Sequence, residues 1–114
     1  MASSSKDALH VVRALGIEHC FTPALIYTGD RFGTVGECSK VRIDTKKDMF
    51  REVALAANVR PERIIGIEDA GHAITSFQEL GMFAVGMDTE GSGEVKHADL
   101  VLKTFNDIFD RTPN

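Results

Sequence analysis

The sequence predicts an α/β fold built on a parallel sheet. Three observations carry that reading. Continuous apolar runs stand at Ala24-Leu25-Ile26-Tyr27, Ile64-Ile65-Gly66-Ile67 and Met82-Phe83-Ala84-Val85-Gly86-Met87, as expected of strands covered on both faces. Amphipathic segments with helical spacing alternate with them, the order typical of such folds. Polar clusters then sit at strand-to-helix junctions, Ser3-Ser4-Ser5-Lys6 before the first helix and Glu68-Asp69 after the isoleucine run. Parallel sheets place their ligands at that end of the strands.

The elements follow in order. Ala8, Leu9, Val11, Val12 and Leu15 form one broad apolar face, which predicts a helix over 6–15 that Gly16 stops. Ser4 or Ser5 is placed to cap its start. The run 24–27 reads as a buried strand that ends in the turn Thr28-Gly29-Asp30. Residues 31–45 contain Gly33, Gly36 and Ser39 and are assigned no regular element. Phe50, Val53, Ala54 and Ala57 recur at helical spacing and predict a helix over 47–57. Arg60-Pro61-Glu62-Arg63 is a turn, and 64–67 a strand that runs into Glu68-Asp69. A helix over 71–80 is stopped by Gly81, and a strand follows over 82–87. Residues 88–94 form a glycine-rich loop, 100–102 a short strand, and Thr104 caps a last helix over 105–109. The folded domain is expected over 1–110, with 111–114 a polar tail.

Composition narrows the function. The 114 residues fit one small domain. The net charge is −4 and, Lys46-Lys47 apart, the lysines are scattered, which argues against a nucleic-acid binder. No apolar run approaches the roughly 20 residues of a membrane span. The first residues carry no apolar stretch of the secretory kind, so neither membrane nor export is expected. Cys20 and Cys38 are the only cysteines and form no CxxC pair. They read as free thiols in a reducing compartment, the cytoplasm.

Four groups of residues could carry chemistry. The serines 3–5 precede a helix, where hydroxyls and backbone N–H groups suit a phosphate, although a simple capping serine gives the same pattern. Glu68-Asp69 at a strand end suits Mg²⁺, which takes few carboxylates and completes its shell with water and phosphate oxygens. The same pair would also favour a helix start. Lys46-Lys47 could neutralise a phosphate as point charges, or simply be a solvated first turn. His72 follows the acidic pair but reads as an ordinary half-exposed histidine, and His10, His19 and His97 share no spacing. Cys38 has no activating partner in the sequence and is not read as a nucleophile.

Taken together these segments resemble the haloacid dehalogenase superfamily. Ala2-Ser3-Ser4-Ser5-Lys6-Asp7, the first helix and Gly16-Ile17-Glu18-His19-Cys20-Phe21 are similar to the family's second motif. Asp48-Met49-Phe50 through Arg60-Pro61-Glu62-Arg63 to Ile67-Glu68-Asp69-Ala70 resembles its acidic-motif region. Gly71-His72-Ala73-Ile74, Glu79-Leu80-Gly81-Met82, Val85-Gly86-Met87 and His97-Ala98-Asp99-Leu100-Val101-Leu102 continue the likeness, which spans about 2–109 and points to the β-phosphoglucomutase-like branch. The resemblance implies a Rossmann-like parallel core and phosphoryl transfer through an aspartyl-phosphate, with Mg²⁺ and a lysine balancing charge. It implies that Ser3 and Ser5, with Lys46 or Lys47, hold phosphate, and that Glu68 and Asp69 hold the metal, Asp69 being the better ligand. The expected substrate is a small phosphorylated metabolite such as a sugar phosphate.

The family's first motif, Asp-x-Asp-Gly-Thr or Asp-x-Asp-Gly-Val, is absent. Asp88-Thr89-Glu90-Gly91-Ser92 is a near match with Glu in place of the second Asp, and it follows the wrong strand; it is read as coincidence. Family spacing places the lysine at position 44, which is Asp44, so a loop of altered length would have to deliver Lys40, Lys46 or Lys47. The expectation is an incomplete core that lacks its first strand and its cap: the C-terminal part of a larger hydrolase or mutase, with a missing N-terminal segment as partner and no activity alone. The alternative is a non-catalytic remnant that binds phosphate weakly or pairs with another chain. A phospho-receiver domain ranks last, because it needs an acidic pair after its first strand and a lysine late in the chain.

Overall fold

The computed structural model describes residues 7–22, 25 and 46–107. The chain forms two compact units, Met1–Arg60 and Pro61–Asn114. In the first, α1 (Ala8–Ala14) is followed by a 3₁₀ turn, Glu18–Cys20, and α2 covers Lys46–Ala57. Asp7, not Ser4 or Ser5, stands at the cap position of α1 and makes no side-chain cap bond there. Of the α2 face that helical spacing assigns, Phe50 and Ala54 are buried and Val53 and Ala57 half-buried, while Met49 and Glu52 are buried beside them. The expected strand at 24–27, its turn and the loop 31–45 lie outside the described residues, Leu25 excepted.

The second unit holds the 3₁₀ turn Pro61–Arg63, then β1 (Ile65–Glu68), α3 (Gly71–Glu79), β2 (Phe83–Met87) and β3 (Leu100–Leu102). The sheet is parallel in the order β1-β2-β3. Ile65 stands beside Phe83, and Val85 beside Leu100. The helices α1, α2 and α3 end alike. Gly16 (φ 71), Asn58 (φ 55) and Gly81 (φ 86) take the left-handed conformation. Behind them the N–H groups of Ile17, Val59 and Met82 reach back to the carbonyls of Val12, Ala54 and Phe77. These are the bonds that satisfy a last turn's carbonyls.

The two faces of the sheet differ. On the α3 side, Gly66 and Gly86 let neighbours come close: a Cβ on Gly66 would lie 2.5 Å from the Phe77 ring, and one on Gly86 2.6 Å from Val95. On the other side Val85, Met87 and Leu102 cluster, with Leu100 packed against them. Toward β1 that face opens: Ile65 is 64% exposed, Ile67 46% and Phe83 47%. The expectation that the isoleucine strand is covered on both faces is therefore corrected. Only its Gly66 side is buried, the side on which α3 packs against β1 and β2.

After β3, Asp107 accepts the backbone N–H groups of Lys103 and Thr104 through Oδ2, at 2.9 and 3.1 Å. This is the acid's half of a capping box opened by Thr104. The rest of the expected last helix, and the tail, lie outside the described residues. Among the described residues no helix is long and apolar enough to cross a membrane.

Candidate functional site

Parallel pairing brings the carboxyl ends of β1 and β2 to one rim. β1 ends in Glu68 and turns through Asp69 into α3; β2 ends at Met87 and releases the loop that begins with Asp88. Between them lies a cleft of about 150 Å³, lined by Asp69 and by Asp88, Thr89, Glu90, Ser92 and Glu94 of the loop.

Each segment is folded by its own carboxylates. Glu68 Oε1 accepts the Asp69 N–H at 3.0 Å. Asp88 donates its N–H to the Leu102 carbonyl at 2.8 Å, extending the sheet by one bond. Its Oδ1 accepts the Ser92 N–H at 2.9 Å and the Ser92 hydroxyl at 3.3 Å, and its Oδ2 accepts the Gly93 N–H at 3.1 Å. Short polar side chains that bond backbone a few residues ahead are turn formers. The carboxylate of Asp88 anchors its loop.

Asp69, Asp88, Glu90 and Glu94 give the cleft four carboxylates, and among the described residues no lysine or arginine lines it. A phosphate brought to this rim would meet like charge, so it needs a cation between. The donors are hard oxygens, the type Mg²⁺ selects, and Mg²⁺ sites use one or two carboxylates beside water and phosphate. Of the sequence-predicted pair, Asp69 lines the cleft and Glu68 precedes it in the chain. Among the described residues no three His, Cys, Asp or Glu side chains are grouped to hold a metal by themselves.

Of the residues singled out in the sequence, Glu68 and Asp69 stand together, with Asp69 in the cleft wall. Lys46 and Lys47 open α2, in the other compact unit. Ser3 and Ser5 lie outside the described residues. His72 is exposed on α3, where its carbonyl accepts the Ser76 hydroxyl. Sequence reasoning misses the loop 88–94 as the second wall. The signal is present, since Asp88 follows a predicted strand just as Glu68-Asp69 does, and one positional rule covers both.

No family model matches the chain. Over 109 residues, 95% of its length, it is 30% identical to β-phosphoglucomutase of Bacillus subtilis (strain 168). A crystal structure of β-phosphoglucomutase from Clostridium difficile superposes on 94% of the chain with a TM-score of 0.65 at 28% identity. The chain is similar to the β-phosphoglucomutases along most of its own length. Its parallel sheet and helices match the α/β fold of the haloacid dehalogenase superfamily to which they belong. The chain spans 42% of the Bacillus β-phosphoglucomutase and 45% of the Clostridium β-phosphoglucomutase chain.

Proposed function

We propose that this chain supplies the metal-binding acidic turn of a phosphoryl-transfer site for small phosphate esters such as sugar phosphates. The observation that carries the reading is the place of Glu68 and Asp69. They stand at the carboxyl end of β1, where Asp69 lines a cleft, in a chain similar along 95% of its length to β-phosphoglucomutase. Bound there, Mg²⁺ would offset the charge of the transferring phosphoryl oxygens. Glu68 braces the turn by accepting the Asp69 N–H, and Asp69 faces the metal. Ser3, Ser5 and Lys46 or Lys47 are the proposed phosphate contacts, by the family resemblance. The exposed free thiol of Cys20 suits a cytoplasmic setting.

The chain alone is proposed to be inactive. Its nearest approach to the family's nucleophile motif is Asp88, whose two carboxylate oxygens are held by Ser92 and Gly93. Without a nucleophile, the covalent step has no starting point. The test is the purified chain with Mg²⁺ and an aryl phosphate or hexose phosphate. The expected result is no turnover above background, with Mg²⁺-dependent amide shifts at Asp69 when the hexose phosphate is added. Turnover near an ordinary enzyme's roughly 1–10³ per second, lost in Asp69→Asn, would contradict the missing nucleophile. Silence at Asp69 would contradict the site.

A further inference from the structure

The first residue of α3 is gripped by the far end of the cleft loop. Glu94 Oε1 accepts the Gly71 N–H at 3.1 Å. His97 Nε2 lies 3.0 Å from the Gly71 carbonyl oxygen and 3.1 Å from Thr75 Oγ1. The Thr75 hydroxyl donates to that same carbonyl at 3.2 Å, and Gln78 Nε2 donates to the His97 carbonyl at 2.8 Å. The approach is so close that a Cβ on Gly71 would lie 2.7 Å from the Glu94 carbonyl oxygen.

The grip is rooted in the core. Between Glu94 and His97, Val95 is 1% exposed and sits where a Cβ on Gly86 would be. The Ala98 N–H donates to the Val95 carbonyl at 2.9 Å. The loop end is thus fixed to β2, and through Gly71 it holds a residue two positions after Asp69. α3 needs such help. Its cap residue is Ala70, which makes no side-chain cap bond, and a helix start leaves N–H groups that something must satisfy. Glu94 does this from 23 residues away, with the negative charge that a helix N-terminus favours.

We propose that Glu94 and His97 are positioning residues. By holding both polar backbone groups of Gly71 they set the Asp69-Ala70-Gly71 turn, and with it the reach of the Asp69 carboxylate into the cleft. The metal arm of this proposal rests on the function proposed above; the backbone arm does not. Glu94 also lines the cleft, so its effect through geometry has to be separated from its effect through charge.

The experiment uses the full ¹⁵N-labelled chain and Mg²⁺ alone as probe. Glu94→Ala removes both acceptor and charge, Glu94→Gln removes only the charge, and His97→Phe removes the other half of the grip without touching the cleft's carboxylates. In metal-free protein, Glu94→Ala and His97→Phe are expected to move the amides of Asp69, Ala70 and Gly71 and leave Val85 and Leu102 in place. Glu94→Ala should also speed Gly71 exchange about fivefold, the order set by one lost hydrogen bond. Glu94→Ala should weaken Mg²⁺ about tenfold, as for other residues that orient a metal ligand, while Glu94→Gln keeps most of the affinity. Equal losses in Glu94→Ala and Glu94→Gln would overturn the proposal in favour of charge. Unmoved turn amides in Glu94→Ala and His97→Phe would overturn it outright. Turn amides that move in both variants, beside a wild-type chain that ignores Mg²⁺, would leave the positioning standing and remove the metal site.

Discussion

Two acidic segments face each other across one cleft, and the fold uses them differently. The turn after β1 is short: Glu68 and Asp69 pass at once into α3, and Asp69 is exposed on the rim. The loop after β2 is long, and two of its carboxylates bond backbone several residues away. Asp88 holds Ser92 and Gly93, and Glu94 holds Gly71. The difference teaches that a carboxylate's position at a strand end does not define its job.

Both segments hang on the same sheet, so the largest effect should come from its shared packing. Phe77 is 5% exposed and lies over Gly66. Phe77→Ala should cost about 3–5 kcal/mol in urea unfolding and loosen turn and loop together. A smaller effect that spared either segment would break the idea of a common platform. Next comes Gly86→Ala, whose added methyl would meet Val95 at 2.6 Å. An overpacked core of this kind costs about 1–3 kcal/mol. Here amide exchange should rise in 93–98 before it rises at Glu68. Asp88→Ala should be smaller still, about 1 kcal/mol for its lost bonds to the loop, with new mobility confined to 88–93. If Asp69 responded as strongly as Ser92, the two segments would be less separate than the hydrogen bonds make them.

Much of this fold is legible in the amino-acid sequence itself. Gly16 and Gly81 mark helix ends because a left-handed residue closes those turns, and α2, α3, β2 and β3 follow the apolar spacing within a residue or two. Asn58 does the same work as the glycines, but an asparagine has many other uses, so it does not announce itself. The burial of β1 is not legible, because Ile64-Ile65-Gly66-Ile67 looks the same whether one face or two are covered; the run records apolarity, not neighbours. Within the site, Glu68-Asp69 is legible from its place at a strand end. The Glu94, His97 and Gly71 contacts are not, since they join residues more than twenty apart through a close approach that only folding creates.

We propose that the β1 turn, and not the β2 loop, carries the metal. This is tested most directly by following amide shifts during Mg²⁺ titration of the wild-type chain, Asp69→Asn and Asp88→Asn. The account predicts weak binding to the wild type, on the order of millimolar for so few protein oxygens, centred on Glu68 and Asp69. That response should vanish in Asp69→Asn and persist in Asp88→Asn. A response that survives Asp69→Asn and disappears in Asp88→Asn would contradict it.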